Sequence, residues 1–420
     1  MRLHSHAAQG ETNSARPSQP SRGVFALSDL DAFRQEARTW LDANCPASMR
    51  NRAVHFEDAY EVYDTDDARL WLARGAARGW VAPGWPKEYG GGGLSRQELR
   101  VLQQEMAAIK ALPPSVGMGL AMIGPTLLEF GNEDQKRRHL PRIARGDVRW
   151  CQGYSEPGSG SDLASLRTRA VLDGDHFVIN GQKIWTSGAD HADWMFCLVR
   201  TDPVAAKHDG ISFVLLEMKQ PGVSVKPIRL ISGSSPFCET FFDNAIARTE
   251  DLVGEMNKGW TVAKRLLQYE RSGPSDEGPP SRTEKPKLNA YAELAVQYIG
   301  RANGLVADGA MRDRITRQVM QEKSLQLTGR RVAEESTSGS APGAATSIFK
   351  YVGSTLSKEG SELKAQLRGT VGIGWEGEGF TADELESTRG WLRDRAVTIY
   401  GGTNEVQLNI IAKRVLGLPD

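Results

Sequence analysis

The chain has 420 residues, 40% of them hydrophobic, enough to bury cores in two or three domains. Lys plus Arg equals Asp plus Glu at 52 each, so no net charge points to nucleic acid or an anionic membrane surface, and an anionic ligand must be met by local donors. Cys45, Cys151, Cys197 and Cys238 form no CxxC pair and the seven histidines show no ligand spacing, which argues against a metal or a disulfide framework and for a reducing cytoplasm.

Residues 1–25 are rich in Ser, Arg, Gln, Pro and His and lack the apolar core of a secretory signal, so they read as a disordered tail. No later apolar run is long enough to span a bilayer. Leu30, Phe33, Ala37, Trp40 and Leu41 recur at helical spacing, predicting a helix from Leu27 to about Asn44. A second helical stretch runs from Asp66 to Arg78 into a loop dense in glycine and proline, Gly79 to Gly93. Helical pattern resumes from Ser95 to about Lys110 and from Ile123 to Ile143.

Between about Asp147 and Val253 the pattern changes to short β-branched or alternating runs, among them 170–172, 176–179, 195–199 and 211–216. Asp173-Gly174-Asp175 and Asn180-Gly181 stand where hairpin turns are expected. After Gly254 helical periodicity returns to Asp420, interrupted at Ser272–Lys287 by a Pro-, Ser- and charge-rich connection. The division expected is a tail at 1–25, a helical domain at 26–146, a β domain at 147–254 and a helical domain at 255–420.

Three motifs carry chemistry. Tyr154-Ser155-Glu156-Pro157-Gly158-Ser159-Gly160-Ser161-Asp162 is a loop whose small residues let backbone N–H groups and hydroxyls approach a ligand. Asn180-Gly181-Gln182-Lys183-Ile184-Trp185-Thr186-Ser187-Gly188 reads as a turn leading into a strand with an indole beside hydroxyls, which suits a flat heteroaromatic cofactor. Ile399-Tyr400-Gly401-Gly402-Thr403-Asn404-Glu405-Val406-Gln407 stands near the C-terminus. Taken singly, the first two are equally a polar turn and a core tryptophan on a strand.

In this order and separation the three resemble the acyl-CoA dehydrogenase family, with its TEPxxGSD, NGxKxW and GGTxExQ signatures. Similarity at Gly79–Gly91 and Glu129–Lys136 extends the resemblance over most of the chain after residue 25. It implies an α+β multidomain fold: a helical N-terminal domain, a β-barrel-like middle domain and a C-terminal four-helix domain that packs into dimers or tetramers. It also implies FAD between the middle and C-terminal domains, with Ser155 near the flavin ring, Ser161 near the phosphates, Trp185 and Ser187 at the isoalloxazine, and Thr403 and Glu405 at the C-terminal motif. The reaction is α,β-dehydrogenation of an acyl-CoA thioester, with electrons passing to an electron-transferring flavoprotein. A carboxylate removes the α-proton and the β-hydrogen leaves as hydride.

Two positions depart from the family pattern. Where many members place the base immediately before the Gly-Thr of the third motif, this chain has Gly401. A second group, including isovaleryl- and long-chain acyl-CoA dehydrogenases, carries the glutamate in a helical Glu-Arg pair, and Gln268-Tyr269-Glu270-Arg271 matches it. The resemblance therefore implies Glu270 as base, with Arg271 and Gly401 toward the substrate. Gly401 keeps a backbone N–H for the thioester oxygen, and its missing side chain leaves room for a branched or bulky acyl group. Glu376, Glu378 and Glu405 compete in principle, the first two from a Gly-rich loop.

The second departure is that 310–321 and 367–379 match neither the Arg-x-x-Phe-Gly nor the Gln-x-x-Gly-Gly-x-Gly segment with which members complete a neighbour's flavin site. That resembles actinobacterial-type subunits that pair with a second, different acyl-CoA dehydrogenase subunit on steroid side-chain CoA thioesters; a heterotetramer and a homotetramer both stay open, since degenerate motifs also occur in homomers. Two alternatives remain open from sequence: a flavin oxidase or monooxygenase on the same fold, and a flavin-free structural subunit.

Overall fold

The computed structural model describes residues 27–51, 62–271, 289–337 and 345–419. The N-terminal tail and the 272–287 connection lie outside them. Helices α1 (Leu27–Asn44), α2 (Asp66–Ala77), α3 (Arg96–Ala108), α4 (Gly124–Phe130) and α5 (Glu133–Arg145) come first. Seven strands follow: β1 (Trp150–Gly153), β2 (Arg169–Asp173), β3 (His176–Ser187), β4 (Trp194–Arg200), β5 (Ile211–Glu217), β6 (Val223–Ile228) and β7 (Phe237–Arg248). Then come α6 (Gly259–Arg271), α7 (Ala290–Tyr298), a small hairpin β8–β9 (Arg301–Ala302, Leu305–Val306), α8 (Gly309–Thr337), α9 (Ala345–Leu367), α10 (Ala382–Arg393) and α11 (Asn404–Ile410).

The helices begin where the sequence supplies caps. Ser95 and Glu98 form a capping box on α3, and Thr381 and Glu384 form one on α10. The helix expected over 123–143 is broken in two because Asn132 caps a new start: its Oδ1 accepts from Gln135 N at 2.8 Å. Gln135 is buried and donates to the carbonyls of Glu250 and Leu252, both at 2.8 Å, fastening α5 to the end of the sheet.

The sheet runs β1-β4-β2-β3-β7-β6, with β5 antiparallel to β4, and it curls so that β5 lies against β7. Alternate side chains of β4 serve two cores. Met195, Cys197 and Val199 point into the curled interior with Phe177, Ile179, Cys238 and Phe242. Trp194, Phe196 and Leu198 face Ile123 and Leu127 near and on α4, Leu140 on α5, and Val262, Ala263 and Leu266 on α6. Helix α6 therefore packs on the sheet and the N-terminal helices, while α7 to α9 share a smaller core of Ala295, Val306, Ile315, Leu363 and Leu367.

The expected turn at 173–175 is present: Asp173 pairs with His176 around Gly174, whose φ is +61°. The turn expected at Asn180-Gly181 is not. Strand β3 continues through it, with a register shift against β7 between Ile179 and Gly181. A Cβ on Gly181 would lie 2.7 Å from Thr168 Cα, so this glycine serves close backbone approach rather than chain reversal. The β8–β9 hairpin was not expected, although Asn303-Gly304 marks it; both residues have positive φ.

Among the described residues no helix is long and apolar enough to cross a membrane, and no group of three or more His, Cys, Asp or Glu is placed to hold a metal ion.

Candidate active site

The first two motifs meet at one end of β3. The loop after β1 closes on itself through reciprocal bonds between Glu156 and Ser159 backbones, each 3.0 Å. Its carbonyl at Ser155 accepts from Ile184 N on β3 at 2.9 Å. One residue later the β3–β7 ladder shifts register, between Lys183 and Thr186, and Trp185 occupies the bulge with φ +61°. A left-handed aromatic residue is an outlier, and here it turns the indole outward: Trp185 is 54% exposed, with Phe237 edge-on at 6.3 Å. Ser155 and Ser187 flank it half-buried, and Ser161 is exposed farther along the loop. An exposed aromatic plane between hydroxyls, beside a loop of small residues, fits a flat heteroaromatic ring with a polar tail.

Two residues to which the sequence reading gave no role hold this face together. Lys183, fully buried, places its ammonium 2.8 Å from Glu156 Oε1 and 3.1 Å from the Tyr154 carbonyl. Glu156 also accepts from Arg167 N at 2.6 Å and Thr168 N at 2.9 Å. Burial alone would raise the Glu156 carboxyl, but the Lys183 charge and hydrogen bond and the donors at Thr168 and Arg167 hold it below the ordinary carboxylate range. Both residues stand inside the quoted motifs. The available signal was a lysine at an inward-facing strand position, which demands a buried anion, but spacing does not say which one.

Helix α6 carries the candidate base. Its start is pressed onto β5: a Cβ on Gly259 would lie 2.4 Å from Phe213 N, so only glycine permits this approach. Val262, Ala263 and Leu266 enter the same core as Tyr154 and Leu166, which brace the Ser155 loop from below. Arg265 Nε pairs with Glu129 Oε2 on α4 at 2.8 Å. Glu270 and Arg271 end the helix one turn after Leu266, and their side chains lie outside the described residues.

The third motif is built separately. Gly401 and Gly402 both have positive φ and turn the chain into α11, where Thr403 Oγ1 accepts from Val406 N at 3.2 Å as the cap. Asn404 ties the turn to α9, its Oδ1 accepting from Ser354 Oγ at 2.9 Å. Glu405 is exposed. No hydrogen bond, ion pair or ring contact among the described residues joins Thr403 or Glu405 to Ser155, Trp185 or Ser187. The structure thus brings Ser155, Trp185 and Ser187 together and leaves Thr403, Glu405 and Gly401 on another element.

The segment 367–379, which lacks the family pattern, meets the loop between β6 and β7 within the same chain. The indole of Trp375 lies over Gly233, where a Cβ would come within 3.2 Å of the ring. Arg389 sits 5.3 Å from that ring. Glu376 and Glu378 are exposed on the same segment.

Comparison with known proteins agrees with this layout. Models of the acyl-CoA dehydrogenase N-terminal, middle and C-terminal domains match residues 28–147, 151–245 and 287–416. The acyl-CoA dehydrogenase IpdE1 of Mycobacterium tuberculosis is 38% identical over 94% of this chain and 99% of its own length. IpdE1 of Mycolicibacterium smegmatis is 37% identical over 93% and 98%. Among solved structures, the Tcur3481-Tcur3483 steroid ACAD has a TM-score of 0.72 at 30% identity, covering 94% of this chain and 98% of the other. The ChsE4-ChsE5 complex from Mycobacterium tuberculosis has a TM-score of 0.69 at 30% identity, covering 95% and 100%. With all three domains matched in order and relatives aligned nearly end to end, the chain belongs to the acyl-CoA dehydrogenase family, oxidoreductases that are generally FAD-dependent.

Proposed function

We propose that this chain dehydrogenates a bulky acyl-CoA thioester of the steroid side-chain class between its α and β carbons, with Glu270 as base. The observation that carries the reading is the outward indole of Trp185 beside Ser155 and Ser187, over a core shared with the helix that ends in Glu270. Ser155, Trp185 and Ser187 would hold FAD at its ring, Ser161 toward its phosphates, and Thr403 and Glu405 from the C-terminal motif. FAD, when bound, supplies the acceptor for the hydride that leaves the β carbon.

The residues of the chain do the rest. Glu270 takes the α-proton and ends the step as a neutral acid. The Gly401 N–H donates to the thioester oxygen, where negative charge develops as that proton leaves. Arg271 would act on the substrate side of the site. The absent side chain at Gly401 leaves room for rings, and the solved relative Tcur3481-Tcur3483 is a steroid ACAD.

The chain works with a second, different acyl-CoA dehydrogenase subunit as a heterotetramer that delivers electrons to an electron-transferring flavoprotein. The two-protein relatives Tcur3481-Tcur3483 and ChsE4-ChsE5 support this, as do the large apolar side chains left exposed in the C-terminal region.

The test uses the chain co-purified with its partner. Adding a steroid side-chain acyl-CoA should bleach the visible flavin absorbance. Glu270→Gln should lower turnover by about a hundred- to ten-thousand-fold with flavin content unchanged. Full turnover in that variant overturns the assignment of the base. Reduction by short straight-chain thioesters alone overturns the substrate class.

A further inference from the structure

Trp185 is held in a conformation its side chain disfavours. Its φ of +61° lies in the left-handed region, which a bulky residue occupies only where its surroundings over-determine it. The restraints stand on both sides of the bulge. Before it, Lys183 is buried with its ammonium 2.8 Å from Glu156, and Ile184 N is bonded to the Ser155 carbonyl at 2.9 Å. After it, Thr186 is buried and paired with Cys238 across the ladder.

The Glu156 carboxylate joins three segments at once: the loop that bears Ser155, the backbone at Arg167 and Thr168, and strand β3 through Lys183. The second bond of the Lys183 ammonium, to the Tyr154 carbonyl at 3.1 Å, falls on the same loop. A change at this pair is therefore transmitted to Ser155 and Trp185 together.

We propose that Glu156 and Lys183 are a positioning pair for the cofactor face, holding Trp185 in its left-handed bulge beside Ser155, and that without the pair the chain folds but loses its grip on flavin. The proposal rests on the reading that flavin lies against Trp185. It differs from a purely structural role in what it requires of a double substitution. A buried ion pair can be replaced by uncharged groups of similar shape with little loss of stability, whereas removing one partner strands a buried charge. Glutamine keeps the shape of Glu156 and one acceptor for the 167–168 amides, and methionine nearly keeps the length of Lys183.

The experiment compares Glu156→Gln, Lys183→Met and the double variant in the full chain with its partner, by melting temperature, by FAD dissociation constant from flavin fluorescence, and by hydrogen exchange over 153–168 and 181–188. Each single variant should melt lower and bind FAD at least tenfold more weakly. The double variant should regain most of the lost melting temperature while keeping weak FAD binding and faster exchange at 183–188. Recovery of wild-type FAD affinity together with stability overturns the proposal, because the pair would then act only on folding. Glu156→Asp, which keeps the charge and shortens the reach by one methylene, covers the case in which the other variants do not fold. It should weaken FAD about threefold or more, and unchanged affinity with unchanged exchange overturns the proposal. Were the wild-type chain to bind no FAD, the flavin reading itself would fail. Exchange at 183–188 still decides the clamp: local acceleration in Lys183→Met supports it, and wild-type exchange overturns it.

Discussion

In the middle sheet every residue of β4 from Trp194 to Val199 is buried, whereas the region after residue 289 leaves Ile373 72% exposed, Met320 65% and Leu416 64%. Strand β4 is sealed on both faces by its own chain: the curled interior takes one set of its side chains, and α4, α5 and α6 cover the other. The C-terminal helices gather only a small core around Ala295, Val306, Ile315, Leu363 and Leu367. A region that is internally complete can carry a precise site. An apolar face left exposed in the C-terminal region is the surface that the proposed heteromer would cover.

The largest effect expected from this contrast is in the sealed core. Phe213, fully buried and stacked at 6.1 Å on Phe196, should cost about 3–5 kcal/mol on truncation to alanine, measured by denaturant unfolding. Next comes the acid limb of stability. Burial, then the charges of Arg138 and Arg142, push His139 down to about 3, and its ring packs edge-on to Trp150 and Trp194. The unfolded imidazole titrates near 6.5, so between about 6.5 and 3 the unfolded state binds the extra proton and stability falls as pH falls. His139→Phe should flatten that part of the profile in melts from pH 7 to pH 4.

A smaller loss, about 1 kcal/mol, is expected for Thr381→Ala, which removes the capping box of α10. The smallest is at the uncovered face. Ile399→Ser, at a residue 63% exposed, should change the stability of the isolated chain by no more than about 0.5 kcal/mol. If the face is an interface, the same change weakens co-purification with the partner. A large stability loss with unimpaired assembly would break the comparison.

Much of the fold was legible because it depends on local periodicity. The run Leu30, Phe33, Ala37, Trp40, Leu41 marks α1, and the switch to short β-branched runs marks the sheet. The misreadings share one cause, which is that a local signal has more than one tertiary use. Asn180-Gly181 looks like a turn, yet Gly181 lets β3 pass against Thr168, while the equally short Asn303-Gly304 does make a hairpin. At the candidate site, Ser155 and Trp185 were legible as motif residues. Their adjacency was not, because it depends on a bond between Ser155 and Ile184 across 29 positions of chain.

By itself the sequence determined the order of helical, β and helical regions, the family, and the presence of glycine at 401, all of which are properties of residue type and spacing. The tertiary structure decided which motif residues are exposed beside one another and which are buried in the frame. Burial is what separates Glu156 and Lys183 from the exposed Glu376 and Glu378. A carboxylate in water and one locked to a buried ammonium are the same letter, and only packing makes the second an anchor for Trp185.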